Sequence, residues 1–171
     1  MLFGYRRNEF VRFYTPEEAQ REALKRIDQY LELMVNGYSE SLPAISKRTH
    51  EEKDSVKTGE RKVNNVTVPV YTKVNAKVTT FTKTVRGIGT MTLSVTDGSS
   101  KALIQSIPIK SEQAWTAEWV VYTGDLRALT KSLKQLAERR EPFMSNNYLR
   151  EQVRQDLSQR LSDTLEGFYR N

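Results

Sequence analysis

The side chains that most often do chemistry in proteins are scarce in this chain. It has no cysteine and one histidine, His50, among 171 residues. His50 lies in the most polar stretch, where we expect an exposed histidine rather than a ligand or a base. This composition argues against disulfides, thiolate metal sites, multi-histidine zinc sites, and Ser-His-Asp or Cys-His catalysis.

Carboxylates are plentiful, but almost none falls in an apolar segment where burial would raise its pKa towards the range of a general acid. Glu118 is the exception, and alternation places it on the strand face opposite the tryptophans. Gly87-Ile88-Gly89 lacks the third glycine and the following helix of a nucleotide-binding loop, so it predicts a bulge or close packing. We therefore expect a non-enzymatic chain with no cofactor and no metal.

The segment 115–127 is the strongest candidate for a binding site. Its two tryptophans alternate onto one strand face, a tyrosine follows, and an Asp-Leu-Arg turn leads into a helix. Tryptophan is an efficient anchor for protein partners, and with arginine it can stack on bases or sugars. The alternative is that both tryptophans belong to the core. The predicted partner-binding residues are Trp115, Trp119, Tyr122, Asp125 and Arg127.

The chain around this segment is organised by residues 66–121, which are rich in Val, Ile, Thr and aromatics and alternate apolar with polar side chains. Such alternation predicts strands with one face to be covered. Several turn signals divide the run. We expect an antiparallel sheet of about four strands.

Helical patterns flank the predicted sheet. Thr15-Pro16-Glu17-Glu18 has the pattern of a capping box, and apolar residues at helical spacing continue to Met34, which predicts a helix from 15 to about 36. Asp125 can cap a second helix as far as Arg140, and residues 149–168 form a third, about 30 Å long. The fold class is therefore α+β, a sheet covered by one N-terminal helix and two C-terminal helices.

We expect a tail or an edge strand at 1–14 and a single α+β domain over 15–171. Residues 46–65 hold many charges and few apolar side chains, so they predict a polar loop or a projecting hairpin arm. Val63-Asn64-Asn65-Val66 favours the arm, because asparagine tolerates the backbone of a tight turn.

The formal net charge of +6 would suit nucleic acid or an anionic membrane surface. Lysine and arginine are nevertheless spread through every segment, which favours a solvated basic surface. No window approaches the ~20 apolar residues of a membrane-spanning helix, and MLFGYRRNEF lacks the pattern of a signal peptide.

A resemblance adds to this reading. The run 89–97, a short turn and Ala-Leu-Ile-Gln-Ser at 102–106 are similar to a strand pair in bacterial envelope lipoproteins of the curli-secretion and penicillin-binding-protein-activator type. Val-Pro-Val-Tyr at 68–71, Ala-Lys-Val-Thr-Thr-Phe-Thr-Lys at 76–83, the two tryptophans, Tyr-Thr-Gly-Asp at 122–125 and the closing Phe-Tyr-Arg resemble uncharacterised exported proteins of Bacteroidota, over about residues 15–170.

The resemblance implies a periplasmic or outer-membrane-associated domain that binds a protein or self-assembles. We expect the cell envelope if the native chain carries a signal peptide missing from this sequence, and the cytoplasm otherwise. The alternative function is a cytoplasmic nucleic-acid-binding domain that uses the basic surface.

Overall fold

A computed structural model of the chain describes residues 11–145 and 147–170. It confirms the α+β class, with a four-stranded antiparallel sheet, one N-terminal helix and two C-terminal helices. The elements are α1 (Pro16–Arg21), β1 (Gln29–Glu40), β2 (Ala44–Val63), β3 (Val66–Asp97), β4 (Leu103–Gly124), a 3₁₀ turn (Leu126–Ala128), α2 (Lys131–Ala137) and α3 (Tyr148–Tyr169).

β3 organises the sheet, because the other three strands all pair with it. β1 pairs antiparallel with residues 87–97 of β3, and β2 pairs antiparallel with residues 66–84. At 32 residues, β3 is one continuous strand where the turn signals in the sequence predicted several shorter ones. The long alternating run is therefore a single strand with successive partners.

The chain forms two compact units. The first contains the described residues up to Ser41, Arg86–Gln113 and residues 147–170; the second contains Leu42–Val85 and Ala114–Ser145. β3 and β4 contribute residues to both units.

The core of the first unit lies between α3 and alternate residues of β3 and β4. Its buried members are Met91, Leu93, Val95, Ile109 and Leu165, with Leu157, Leu161 and Phe168 of α3 packed against them.

The two glycines of the Gly-Ile-Gly motif lie beneath α3. A Cβ on Gly89 would stand 2.4 Å from Val153 Cγ1, and one on Gly87 would stand 3.2 Å from Leu149 Cβ. The pairing register with β1 is unbroken through both glycines. Of the two expectations for this motif, the structure has close packing, with side chains of α3 and, at Gly87, also Tyr38 of β1 as the near neighbours rather than backbone.

The core of the second unit lies beneath the 3₁₀ turn and α2. Its buried members are Val74, Ala76, Val78, Val120, Ala128 and Leu129. The single helix predicted from Asp125 to Arg140 is wrong, since Leu129 is extended and divides it. Asp125 caps the 3₁₀ turn and Thr130 caps α2, so the break lets two adjacent residues, Ala128 and Leu129, both enter the core.

The N-terminal helix is shorter than the sequence predicts. Its capping box is formed: the Thr15 N–H donates to Glu18 Oε2 at 2.8 Å, and the Glu18 N–H donates to Thr15 Oγ1 at 3.2 Å. The helix ends at Arg21, Ala23 has a φ of 48°, and the chain from Gln29 is β1. The prediction of a helix to about residue 36 is therefore wrong beyond Arg21.

The first ten residues of the predicted tail or edge strand lie outside the described part of the chain. In the remainder, the Phe13 ring packs edge-on against Tyr169 with centroids 5.5 Å apart. Within the described residues, no helix combines the length and the hydropathy that crossing a membrane requires.

Candidate binding surfaces

The hairpin of β2 and β3 continues past the core of the second unit as a two-stranded arm, which we define as residues 57–73. Its turn is Asn64-Asn65, with φ of 51° and 62°, and Val63 pairs with Val66 across it. Two successive left-handed residues are the signature of a type I′ hairpin turn. Residues 46–65, for which the sequence predicts either a polar loop or a hairpin arm, thus belong to β2 and this turn. At ~3.3 Å per residue the arm is about 25 Å long.

One face of the arm is a row of valines. The register places Val63 opposite Val66 and Arg61 opposite Val68, and Val70 follows two residues later on the same side. Val63, Val66 and Val70 are 43%, 60% and 36% exposed. We call Val63, Val66, Val68 and Val70 the valine face.

The valine face is continuous with the core of the second unit. Val74 lies on the same side of β3 and is buried, and Val56 on β2 packs against that core. The apolar side chains therefore begin inside the unit and continue outwards to the turn, with Thr72 of β3 opposite Val56 between Val74 and Val70.

The arm is also basic. It carries four basic residues, Lys57, Arg61, Lys62 and Lys73, against one acidic residue, Glu60, so its net charge is +3. The Lys57 ammonium pairs with the Glu60 carboxylate. Arg61 alone of the five lies on the valine face by register; the others alternate onto the opposite face with Tyr71. A partner that covers the valine face would thus contact apolar side chains and the positive charge of Arg61.

The valines were visible in the sequence, as alternation from Val66 to Val70, but their exposure was not. Their alternation predicts a covered strand face, because an apolar face of a sheet usually packs against another layer. The composition of β2 is the signal that identifies the arm. Because β2 is rich in charged residues, it does not supply a second apolar layer that could cover the valines.

A second apolar surface lies on β1. Leu33 and Val35 share a sheet face with the buried Leu93 and Met91 of β3, yet Leu33 is 46% exposed and Val35 is 72% exposed. Met34, on the other face, is 58% exposed. The core of the first unit thus reaches the surface along β1.

The charges of β1 are both acidic. Glu32 and Glu40 are the charged residues of the strand, which contains neither lysine, arginine nor proline. Within the described chain, β1 pairs with β3 alone, so its other edge is unpaired. The Tyr38 hydroxyl donates to Glu40 Oε1 at 2.5 Å, and burial together with this bond raises the pKa of Tyr38 to about 12.

The predicted 115–127 site is only partly a surface. Trp119 is 9% exposed and stacks on Phe81, with ring centroids 5.2 Å apart and planes 10° from parallel. Tyr122 packs against the core of the second unit, whereas Trp115 is half-buried. Trp119 and Tyr122 therefore have structural contacts that account for their burial.

Asp125 and Arg127 form an ion pair at the end of β4. Asp125 Oδ1 accepts from the Arg127 N–H at 2.9 Å, and the Arg127 guanidinium donates to both carboxylate oxygens, the shortest distance being 2.6 Å. The guanidinium contact, followed by the backbone N–H, lowers the pKa of Asp125 to about 2. Both side chains thus serve the 3₁₀ turn, and partner binding by the five predicted residues stays a prediction.

The remaining candidates for chemistry are engaged in ordinary surface contacts. His50 Nε2 lies 2.9 Å from Glu52 Oε1, and Glu118 accepts a hydrogen bond from the Thr82 hydroxyl at 3.1 Å. In the described parts of the chain, no three acidic or histidine side chains are grouped closely enough to hold a metal ion.

The first unit also contains a cavity of about 590 Å³. It is lined by the chain before α1, the start of β1 and Tyr169. Its lining includes Arg26, which pairs with Asp28 at 2.9 Å.

The chain matches no protein-family model, no curated protein and no solved structure.

Proposed function

We propose that this chain is a non-enzymatic module that binds a protein partner or self-assembles, and that the valine face of the arm is its contact surface. The observation that carries the proposal is the exposure of a valine row that is continuous with a buried core. The resemblance to exported proteins supports a place for this module in the bacterial cell envelope.

An isolated two-stranded ribbon is marginally stable in water, and an arm of this length gains little from exposed valines. A partner that covers these valines would stabilise the arm. Complete burial of one valine side chain contributes about 1.5–3 kcal/mol. Covering the exposed fractions of Val63, Val66 and Val70 would therefore contribute about 2–4 kcal/mol.

The composition of the valine face favours a protein over nucleic acid. Nucleic acids are bound through phosphate contacts and aromatic stacking. On the arm, Tyr71 and most of the basic residues lie on the opposite face, leaving Arg61 among the valines. A nucleic-acid ligand would therefore use the opposite face, and its affinity would fall steeply with salt concentration.

Two substitutions at adjacent residues show which face of the arm makes the contact. Val66→Lys places a charge on the valine face, and Thr67→Lys places the same charge on the opposite face at the next residue. Both positions are exposed, so both variants should fold like the parent chain, which thermal unfolding checks.

The readout is the size of the complex that contains each variant in an extract of the native cells. We expect Val66→Lys to elute at the size of the free chain and Thr67→Lys to elute with the parent complex. Equal behaviour of the two variants would contradict a contact through the valine face. A complex that Val66→Lys leaves intact, that Thr67→Lys keeps or strengthens, and that salt dissolves would favour nucleic acid.

A further inference from the structure

We propose that the partner is a second copy of this chain, and that the valine face of one copy packs along β1 of the next copy. This inference rests on the proposed function and names its partner. The two surfaces are the exposed apolar areas described above, one on each compact unit.

The apolar parts of the two surfaces are complementary. On the sheet face that α3 covers, Leu93 and Met91 of β3 are 2% and 4% exposed, while their β1 neighbours Leu33 and Val35 are 46% and 72% exposed. Leu31 of β1 still packs against that core, so the core ends part-way along β1. A row of β-branched side chains laid beside Leu33 and Val35 would extend that core by one layer.

Their charges are complementary as well. The arm has a net charge of +3, and the two charged residues of β1 are glutamates. Since the chain as a whole has a net charge of +6, two copies repel each other at most relative orientations. On the faces that would meet, the charges are Arg61 among the valines and Glu40 beyond Leu33 and Val35, so the approach of the arm to β1 lowers that repulsion.

The proposed contact joins two different surfaces, so it is heterologous. An open assembly therefore retains a free arm at one end and a free β1 at the other. We therefore expect a concentration-dependent series of oligomers, rather than a dimer alone, unless the rotation between copies closes a ring.

Sedimentation velocity of the purified chain over a range of concentrations tests the contact. We expect self-association, and we expect Val66→Lys and Val35→Lys each to weaken it about tenfold or more, because each places a charge in the apolar contact. Thr67→Lys should leave it nearly unchanged. Self-association unaffected by Val66→Lys or Val35→Lys would overturn the inference, as would a chain that stays monomeric at about 100 µM.

Charge reversal gives a sharper test. On the face of β1 that carries Leu33 and Val35, the charged residue is Glu40, which pairs with Gly87. Arg61→Glu makes the valine face acidic and Glu40→Lys makes that face of β1 basic, so each variant alone should associate several-fold more weakly than the parent. In an equimolar mixture, the unchanged arm of the Glu40→Lys chain can meet the unchanged β1 of the Arg61→Glu chain. Association should therefore recover on mixing. A mixture as weak as its components would overturn the proposed pairing.

Cross-linking identifies the surfaces. In a mixture of unlabelled and ¹⁵N-labelled chains, we expect a photoreactive residue at position 66 to join an unlabelled arm to labelled residues 29–40, and the reverse. If both peptides of every cross-linked pair carried the same isotope, the result would contradict a contact between copies. If the purified chain is monomeric while its complex in cell extract still depends on Val66, this inference fails and the proposed function stands.

Discussion

Replacing Gly89 by alanine tests how closely α3 packs on β3. The added Cβ would stand 2.4 Å from Val153 Cγ1 and 3.0 Å from Leu157 Cδ1. Carbon atoms in contact prefer about 3.5–4.0 Å. Val153 is 2% exposed and lies on the long helix α3, so the helix and the strand must separate to admit the methyl group.

The expected cost follows from two opposing effects. Overpacking a core costs about 1–3 kcal/mol. Replacement of a strand glycine by alanine recovers about 0.5–1 kcal/mol through the lower entropy of the unfolded chain. The Gly89→Ala chain should therefore lose about 0–2.5 kcal/mol of its free energy of unfolding.

Denaturant unfolding followed by circular dichroism measures this loss, and Gly59→Ala is the matched control. Gly59 also lies in a strand, and a Cβ there would have no described atom within 4 Å. We expect that control to be as stable as the parent or slightly more stable. In the Gly89→Ala background, Val153→Ala should cost less than it does in the parent, because it removes the clashing methyl group. Equal stability of the two alanine variants would refute the close packing of α3.

Three further predictions concern the second unit. Trp119→Ala should cost about 3–5 kcal/mol of unfolding free energy, because it empties a buried stacked site; a loss within 1 kcal/mol would restore Trp119 as a surface anchor. The pKa of Asp125 is lowered to about 2 in the folded chain, so its contribution is complete above its ordinary pKa of about 4 and is lost as the pH falls towards 2. Asp125→Asn should flatten that part of a stability-versus-pH curve, and an unchanged curve would contradict the Arg127 contact. Asn65→Gly should slow amide hydrogen exchange in the arm, since glycine adopts the left-handed backbone of the turn more easily than asparagine; faster exchange would contradict the assigned turn.

The sequence predicts the fold class because strand alternation and helical spacing are local signals. The capping box at Thr15 and the Asn64-Asn65 turn are also local, since each depends on residues within one turn of the chain. The structure has both features where the pattern places them.

The errors occur where distant partners decide between two local patterns. Leu31 and Met34 fit a helical stripe when read together with Ala23 and Ile27, but Leu31, Leu33 and Val35 alternate as in a strand. Pairing with residues 91–95 of β3 selects the strand. Exposure of the valine face is likewise a property of the whole fold, because the core of the second unit includes Val74 but not the valines beyond it.

The most direct test of the account is photo-crosslinking of the native full-length protein in its own cells, with the photoreactive residue placed at position 66 in one strain and at position 67 in another. Residue 66 lies on the valine face and residue 67 on the opposite face. The account predicts a protein adduct of one discrete mass from position 66 and little or none from position 67. Equal adducts from both positions, or nucleic acid as the adduct from position 67, would contradict it.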